Sequence, residues 1–413
     1  MRRHLGKNFW CLFSGSAVAN LGSWFLIVAV PVYVYDLTGS AGATSVAVIA
    51  EAVPGVLISP IAGLVADRVN RGLLDLACHL VRGATVVAML LVTDEGTLWL
   101  LFGLIFVENA VTQVAIPAQR SLIPAIVGRG AALEVANAWN TAAGGAVRLV
   151  GAPLGGALYA LAGFQAAVLV NAATYLIAAV LTALLHLDPV GRGAAGRFAA
   201  DPVSSALRRA TRDIGEGAVF LFQHRILRSL LAVSATFLLA NGVLNVLVVP
   251  YVVHDLGGGG PEVGLLFTAL GAGYLLSAPL GAYVSRHITL RSGITAALVA
   301  VTICFAGLFN STTLVTAVVC IGLAGIPGGT ILLLIQVQIQ RRTSTHLLGR
   351  TLSAFTTIES TATVAGSAVG GLLADTLGLR TTANAILPVI AIAAAIAIVG
   401  LHGTTGNATE AIS

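Results

Sequence analysis

The sequence predicts an all-α membrane protein, with twelve transmembrane helices in two pseudo-symmetric six-helix halves and both termini cytoplasmic. Three observations carry this expectation. The 413-residue chain is 57% hydrophobic and only 9% charged, whereas soluble chains carry about a quarter charged residues. Its arginines fall almost wholly on alternate breaks between apolar segments. Several short stretches of the first half recur, in order, in the second.

An apolar run of about 20 residues spans the ~30 Å hydrocarbon layer as a helix. Breaks at glycine, proline and charge clusters place the segments near 9–34, 43–66, 73–93, 97–119, 131–160, 165–186, 226–253, 262–284, 291–309, 313–339, 347–376 and 381–402. The opening "MRRHLGKNFWCLFSGSAVAN" has the basic-then-apolar order of a secretory leader. Its apolar run continues through "WFLIVAVPVYVY", too long for a leader core, so it reads as the first span. Cys11, Cys78, Cys304 and Cys320 are scattered through apolar segments without a CxxC. They read as small buried hydrophobes, and neither metal nor cofactor is expected.

Basic loops stay cytoplasmic. Arg2, Arg3 and Lys7 precede the first span, Arg68 and Arg71 follow the second, and Arg120 and Arg129 follow the fourth. Seven arginines from Arg192 to Arg228 lie between spans six and seven, Arg286 and Arg291 follow the eighth, and Arg341, Arg342 and Arg350 surround the turn after the tenth. These all share one side. The opposite side receives Asp36, Asp94, Glu95, Asp255, Glu262 and Asp375, with Arg380 as its one arginine. The net charge of +5 therefore orients the chain in a bilayer and does not point to nucleic acid. Residues 188–225, polar and Arg-rich, read as a cytoplasmic linker, partly an amphipathic surface helix, between an N-terminal half (1–187) and a C-terminal half (226–413).

The halves repeat. "PVYVYDLTGS" (31–40) returns as "PYVVHDLGGG" (250–259), with Pro31 and Asp36 keeping the same offset to Pro250 and Asp255. "ISPIAGLVADRVNR" (58–71) is echoed by "LSAPLGAYVSRHITLR" (276–291), and "GAPLGGALYALAG" (151–163) by "GSAVGGLLADTLG" (366–378). Parallel repeats about an axis along the membrane normal place a binding site between the halves.

Those residues carry a family resemblance over essentially the whole chain. "GLVADRVNRG" (63–72) resembles the loop two–three motif G-x-x-x-D-R-x-x-R of the major facilitator superfamily. The stretches "VYDLTGS", "LISPIAGLVADR", "SLIP…LEVANAWN" and "LLGRTLSA" resemble its drug-exporter branch, which includes macrolide efflux and enterobactin export proteins. Three positions depart from that pattern. Ser23 stands where relatives carry an Asp, His79 where an acid precedes the span-three arginine, and Ala152 inside the "GAPLGG" of span five.

In the loop motif, Gly63 permits close helix approach, Asp67 can cap a helix N-terminus, and Arg68 and Arg71 can tie the turn to neighbouring spans or headgroups. Two readings stand: a latch favouring the outward-facing state, or plain positive-inside anchoring. By resemblance, Asp67 meets the start of span eleven. Ser285 replaces the Asp in the second copy, so that turn is expected to latch less well. Gly151 and Gly155, and Gly366 and Gly370, remove bulk at one-turn spacing. They suggest packing or hinge elements between the halves, with kinks at Pro153 and at the "GIPGG" of 325–329.

Ionisable residues inside spans cost at least ~2.5–3.5 kcal/mol on insertion scales and need a cavity or partner. Glu51, Glu108, Arg148 and Glu359 are such residues. Glu108 has three readings: proton carrier, contact for a cationic substrate, or ion partner of Arg148. Glu51 and Glu359 are further proton-site candidates. Asn20, Ser23, Trp24, Gln113, Asn241, Asn245, Gln336 and Gln340 are candidate cavity residues, because the resemblance implies that their spans line the cavity. Interhelical hydrogen bonds, worth about 0.6 kcal/mol on average, are the competing role.

Neither a phosphate loop nor HExxH nor GxSxG occurs, so a non-enzyme is expected. The resemblance implies a secondary exporter of a small amphipathic or hydrophobic molecule, driven by a proton gradient, working as a monomer in the bacterial cytoplasmic membrane. Uptake, uncoupled diffusion, and a transporter-like receptor or lipid scramblase are the alternatives.

Overall fold

The computed structural model describes residues 5–58, 62, 69–128, 130–185, 212 and 215–402, and among these it is helical with short turns and no strand. The chain divides into two compact units, Met1–Thr38 with Ala47–Thr211 and Gly39–Val46 with Arg212–Ser413.

The first unit takes its helices from α1 (Gly6–Thr38), α2 (Ala41–Leu57, from Ala47 on), α3 (Arg71–Ala88), α4 (Leu98–Val127) and α5 (Ala131–Ala183). The second holds α6 (Arg225–Pro250), α7 (Gly260–His287), α8 (Leu290–Phe309), α9 (Leu314–Arg342), α10 (Thr345–Leu377) and α11 (Leu379–Gly400). Local chemistry sets several boundaries. The Asn70 side chain accepts from the backbone N–H of Gly72 at 3.0 Å and of Leu73 at 3.2 Å, capping α3. Thr289 and Thr313 cap α8 and α9 in the same way. Gly128 (φ 75°) and Gly378 (φ 84°) end α4 and α10 in the left-handed region that glycine tolerates.

Expected spans five and six run as one 53-residue helix, α5, that breaks at Gly163 (φ 75°, ψ −177°). Gly163 lies in the break expected between residues 160 and 165, and helical dihedrals persist at Pro153, where a kink is expected. Proline removes one ladder hydrogen bond, whereas a positive φ redirects the backbone outright. The last turn of the α6 segment winds as a π-helix, Tyr251–Asp255.

The glycine pairs pack within units. In the first, a Cβ on Gly151 would lie 2.6 Å from Trp24 Cβ, and one on Gly155 would lie 2.8 Å from Phe25 Cα, so α5 presses on α1. In the second, a Cβ on Gly366 would run into the Leu239 carbonyl and one on Gly370 would lie 2.8 Å from Val243 Cα, so α10 presses on α6. The close approach that the sequence placed between the halves is thus made by each glycine pair to a helix of its own unit.

The two repeated exits are each tied down. In the first unit the Tyr159 hydroxyl donates to Asp36 at 2.6 Å, and in the second Arg380 Nε donates to Asp255 at 2.8 Å. Asp375 also caps α2: its carboxylate accepts from Ser40 Oγ at 2.9 Å and from the Gly42 N–H at 3.0 Å, all within the second unit.

Nine helices among the described residues are long and apolar enough to cross a membrane. Their outward faces carry large apolar side chains such as Trp99, Leu161 and Val315, each more than two-thirds exposed, as lipid contact requires. Of the expected linker, residues 215–223 are helical. The Glu216 carboxylate accepts from Arg212 Nε at 2.8 Å and from Arg350 on α10.

Candidate functional site

The charged centre of the first unit is built on one face of α3. Asp75, His79 and Arg82 follow at i, i+4 and i+7, so their side chains share a stripe, and all three are buried. α4 supplies Glu108, also buried, and α5 supplies Tyr175, fully enclosed at 0% exposure.

Arg82 Nε donates to Glu108 Oε1 at 2.9 Å. Its Nη2 donates to the Tyr175 hydroxyl at 2.5 Å and to Ser23 Oγ at 3.3 Å. The Tyr175 hydroxyl in turn donates to Glu108 Oε1 at 2.7 Å. Ser23, whose own hydroxyl donates to the Ala19 carbonyl at 3.0 Å, brings α1 into the network. Burying two charges costs several kcal/mol per ion, and only good geometry with further hydrogen bonds offsets it. Tyr175 and Ser23 supply those further bonds.

Above this network lies a cavity of about 210 Å³. Its polar wall is Asn20, Ser23, Glu51, Arg82, Glu108, Asn109, Thr112, Asn171 and Tyr175, and its apolar wall includes Trp24, Ile27, Val30 and Ile105. The volume is below the ~300–1,000 Å³ of drug-sized pockets. It suits several waters or the polar end of a larger molecule. Glu51 opens onto it from α2, so two carboxyl groups and one guanidinium share one cavity.

In the second unit a cavity of about 10 Å³, the size of one water, is lined by Phe237, Asn241, Asn245, Phe267, Tyr274 and Phe305 among others. Asn245 Nδ2 donates to Asn241 Oδ1 at 3.0 Å. Glu359 on α10 is half-buried and accepts from Ser234 of α6.

Of the sequence candidates, Asn20, Ser23, Trp24, Glu51 and Glu108 therefore meet around one cavity, and Asn241 and Asn245 around another. Gln113 sits beside Gly55 of α2, and Gln336 and Gln340 are exposed on α9. None of these three lines either cavity. Gly63, Asp67, Arg68 and the side chain of Arg148 lie outside the described residues, whereas Arg71 opens α3. The ion partner of Glu108 seen here is Arg82. Arg82 is the span-three arginine that follows His79 and was not among the sequence candidates, and neither were Asp75 and Tyr175. The signal that would have found Arg82 and Asp75 is the i, i+4, i+7 spacing of Asp75, His79 and Arg82 on one helical face.

The chain matches the model of the transmembrane secretion effector family over residues 5–411. It is 23% identical over 379 residues to macrolide efflux protein A of Streptococcus pyogenes, covering 90% of each chain. It is 26% identical over 406 residues to the multidrug efflux pump Tap of Mycobacterium tuberculosis, covering 93% of this chain and 91% of the relative. Its fold superimposes on the crystal structure of the nucleoside transporter NupG with a TM-score of 0.75 at 13% identity, over 96% of this chain and 99% of that one.

Proposed function

The chain belongs to the transmembrane secretion effector family of major facilitator transporters, and from that premise we propose that it is a proton-driven exporter. Twelve spans in two halves, with both termini cytoplasmic, work by alternating access in the bacterial cytoplasmic membrane. The cargo is a small amphipathic or hydrophobic molecule of the drug, macrolide or siderophore kind, exchanged for protons. Two curated relatives carry efflux in their names, one for macrolides and one for multiple drugs, which supports the direction and the cargo class.

The observation that carries the proposal is the Arg82–Glu108–Tyr175 network at the floor of the cavity. A carboxylate that is buried, ion-paired and set in the wall of a cavity can exchange a proton for a polar or cationic group of the cargo. When Glu108 is protonated it no longer neutralises Arg82, and the network must rearrange. That couples the protonation state to the shape of the cavity floor. Glu51 offers a second carboxyl to the same space.

The test is reconstitution into proteoliposomes loaded with erythromycin, a macrolide. Efflux accelerated several-fold by an imposed pH gradient supports the reading. Flux that ignores the gradient identifies an uncoupled facilitator, and inward accumulation identifies an uptake system. Binding without flux identifies a receptor, and equilibration of labelled lipid identifies a scramblase.

A further inference from the structure

Below the cavity floor, on the same stripe of α3, lies a second buried ionisable group that the cavity does not use. Asp75 and His79 are 0% and 1% exposed, and neither lines the cavity. His79 Nε2 stands 3.6 Å from Asp75 Oδ2, which also accepts from Thr182 Oγ1 of α5 at 2.9 Å. Asp75 Oδ1 and His79 Nδ1 are buried with no hydrogen-bond partner among the described residues. A buried unsatisfied polar atom costs about 1–3 kcal/mol, so two in one pair call for a reason. We infer that Asp75 and His79 form a proton station that exchanges one proton with Glu108 during transport. This inference rests on the proton-coupled reading above.

Charge counting supports it. The groups facing the pair are Cys78 and Arg82 on α3, Tyr175 on α5 and, through Tyr175, Glu108 on α4. Arg82 contributes one positive charge. Glu108 contributes minus one or zero, and the Asp75–His79 pair likewise contributes minus one with no proton or zero with one. A low-dielectric interior strongly penalises net charge. Only the state with a single proton shared between Glu108 and the pair is neutral. That proton has two placements of equal net charge. Glu51, which lines the cavity beside Glu108, is counted as a neutral acid.

The geometry provides a route. Asp75 lies about 10 Å from Arg82 along the helix axis at 1.5 Å per residue, towards the Arg71 end of α3. The His79 and Tyr175 rings are 6.3 Å apart, and the Tyr175 hydroxyl is bonded to Glu108. In the transfer, the Glu108 O–H bond breaks and an N–H bond forms at His79 Nδ1, which has no hydrogen-bond partner among the described residues. Tyr175 and one bridging water relay the proton. Glu108 becomes an anion paired with Arg82, and the pair becomes neutral. When cargo needs an ionised Glu108, the station holds the displaced proton.

Two measurements decide this. The first is infrared titration of the purified wild type, Asp75→Asn and His79→Gln from roughly pH 4 to pH 9, which brackets the range of about pH 5–8 in which histidine switches. A carboxyl or imidazole titration in the wild type that both variants lose supports the station, and its absence from the wild type overturns it. The second is transport in proteoliposomes. The variants should keep gradient-free erythromycin exchange within about twofold and lose gradient-driven accumulation at least ~10-fold, which on 1.4 kcal/mol per tenfold is at least about 1.4 kcal/mol of drive. Variants as well driven as a gradient-responsive wild type overturn the station alone. A wild type blind to the gradient overturns the proton-coupled reading and the station's coupling role with it. Should Asp75→Asn fail to fold, His79→Gln carries the same comparison, and the wild-type titration stands without either variant.

Discussion

Arg82 and Glu108 come from neighbouring helices of the first unit and form a buried ion pair, guanidinium nitrogen to carboxylate oxygen 2.9 Å apart. Removing one partner leaves the other charge buried and uncompensated, which costs about 3–5 kcal/mol. Glu108→Gln and Arg82→Gln should each lower the thermal midpoint of the detergent-purified protein. The Arg82→Gln/Glu108→Gln double variant should recover most of the loss in stability and none of the transport. A double-mutant cycle by thermal unfolding checks this, and additive single effects would show that the pair is not coupled.

Tyr175 holds the pair in place with one hydroxyl, accepting from Arg82 and donating to Glu108. Tyr175→Phe keeps the packed ring and deletes only the oxygen. The expected cost is about 1–3 kcal/mol, the penalty for polar groups left unsatisfied, with a several-fold loss of efflux. Unfolding and vesicle efflux on the same preparation check it.

The small-residue contacts give a graded prediction. Gly155→Ala would set its Cβ 2.8 Å from Phe25 Cα, against backbone that cannot swing aside, and such overpacking costs about 1–3 kcal/mol. Gly103→Ala on α4 meets nothing within 4 Å and should be neutral or stabilising by up to about 1 kcal/mol, since alanine is the better helix former. Unfolding midpoints for the two variants should move in opposite directions or differ clearly.

The linker contact is sensitive to acid. The hydrogen bond from Arg212, with the Arg350 charge adding to it, holds the Glu216 carboxyl below its ordinary range. A lowered folded value means that the contact is fully present above the ordinary Glu value of about 4.3. It is lost as pH falls through the lowered value. Amide exchange in residues 215–223, corrected for intrinsic rates, should be protected at neutral pH and lose protection on strong acidification. Glu216→Gln should show the loss at every pH.

Much of the fold was legible because its signals are one-dimensional. The length and apolar character of the helical segments need no knowledge of neighbours. The site was legible only in part. Insertion cost says that Glu108 must have a partner, but the choice of Arg82 depends on how α3 and α4 pack, which spacing along the chain does not encode. Tyr175 looked like one more apolar-segment aromatic until its hydroxyl met two charged groups. Asp75, two residues into its expected segment, was not singled out, although it is wholly buried. The break in α5 was placed between residues 160 and 165 from the lengths of the apolar segments, and Gly163 there supplies the positive φ that turns the chain.

The central claim is that the carboxyl of Glu108 exchanges protons for cargo at the cavity floor. Proton-gradient-driven efflux of erythromycin from proteoliposomes carrying Glu108→Gln, beside the wild type, tests it most directly. The account predicts that the variant loses the acceleration by the gradient at least ~10-fold while still binding the macrolide. Full wild-type coupling in Glu108→Gln would contradict it.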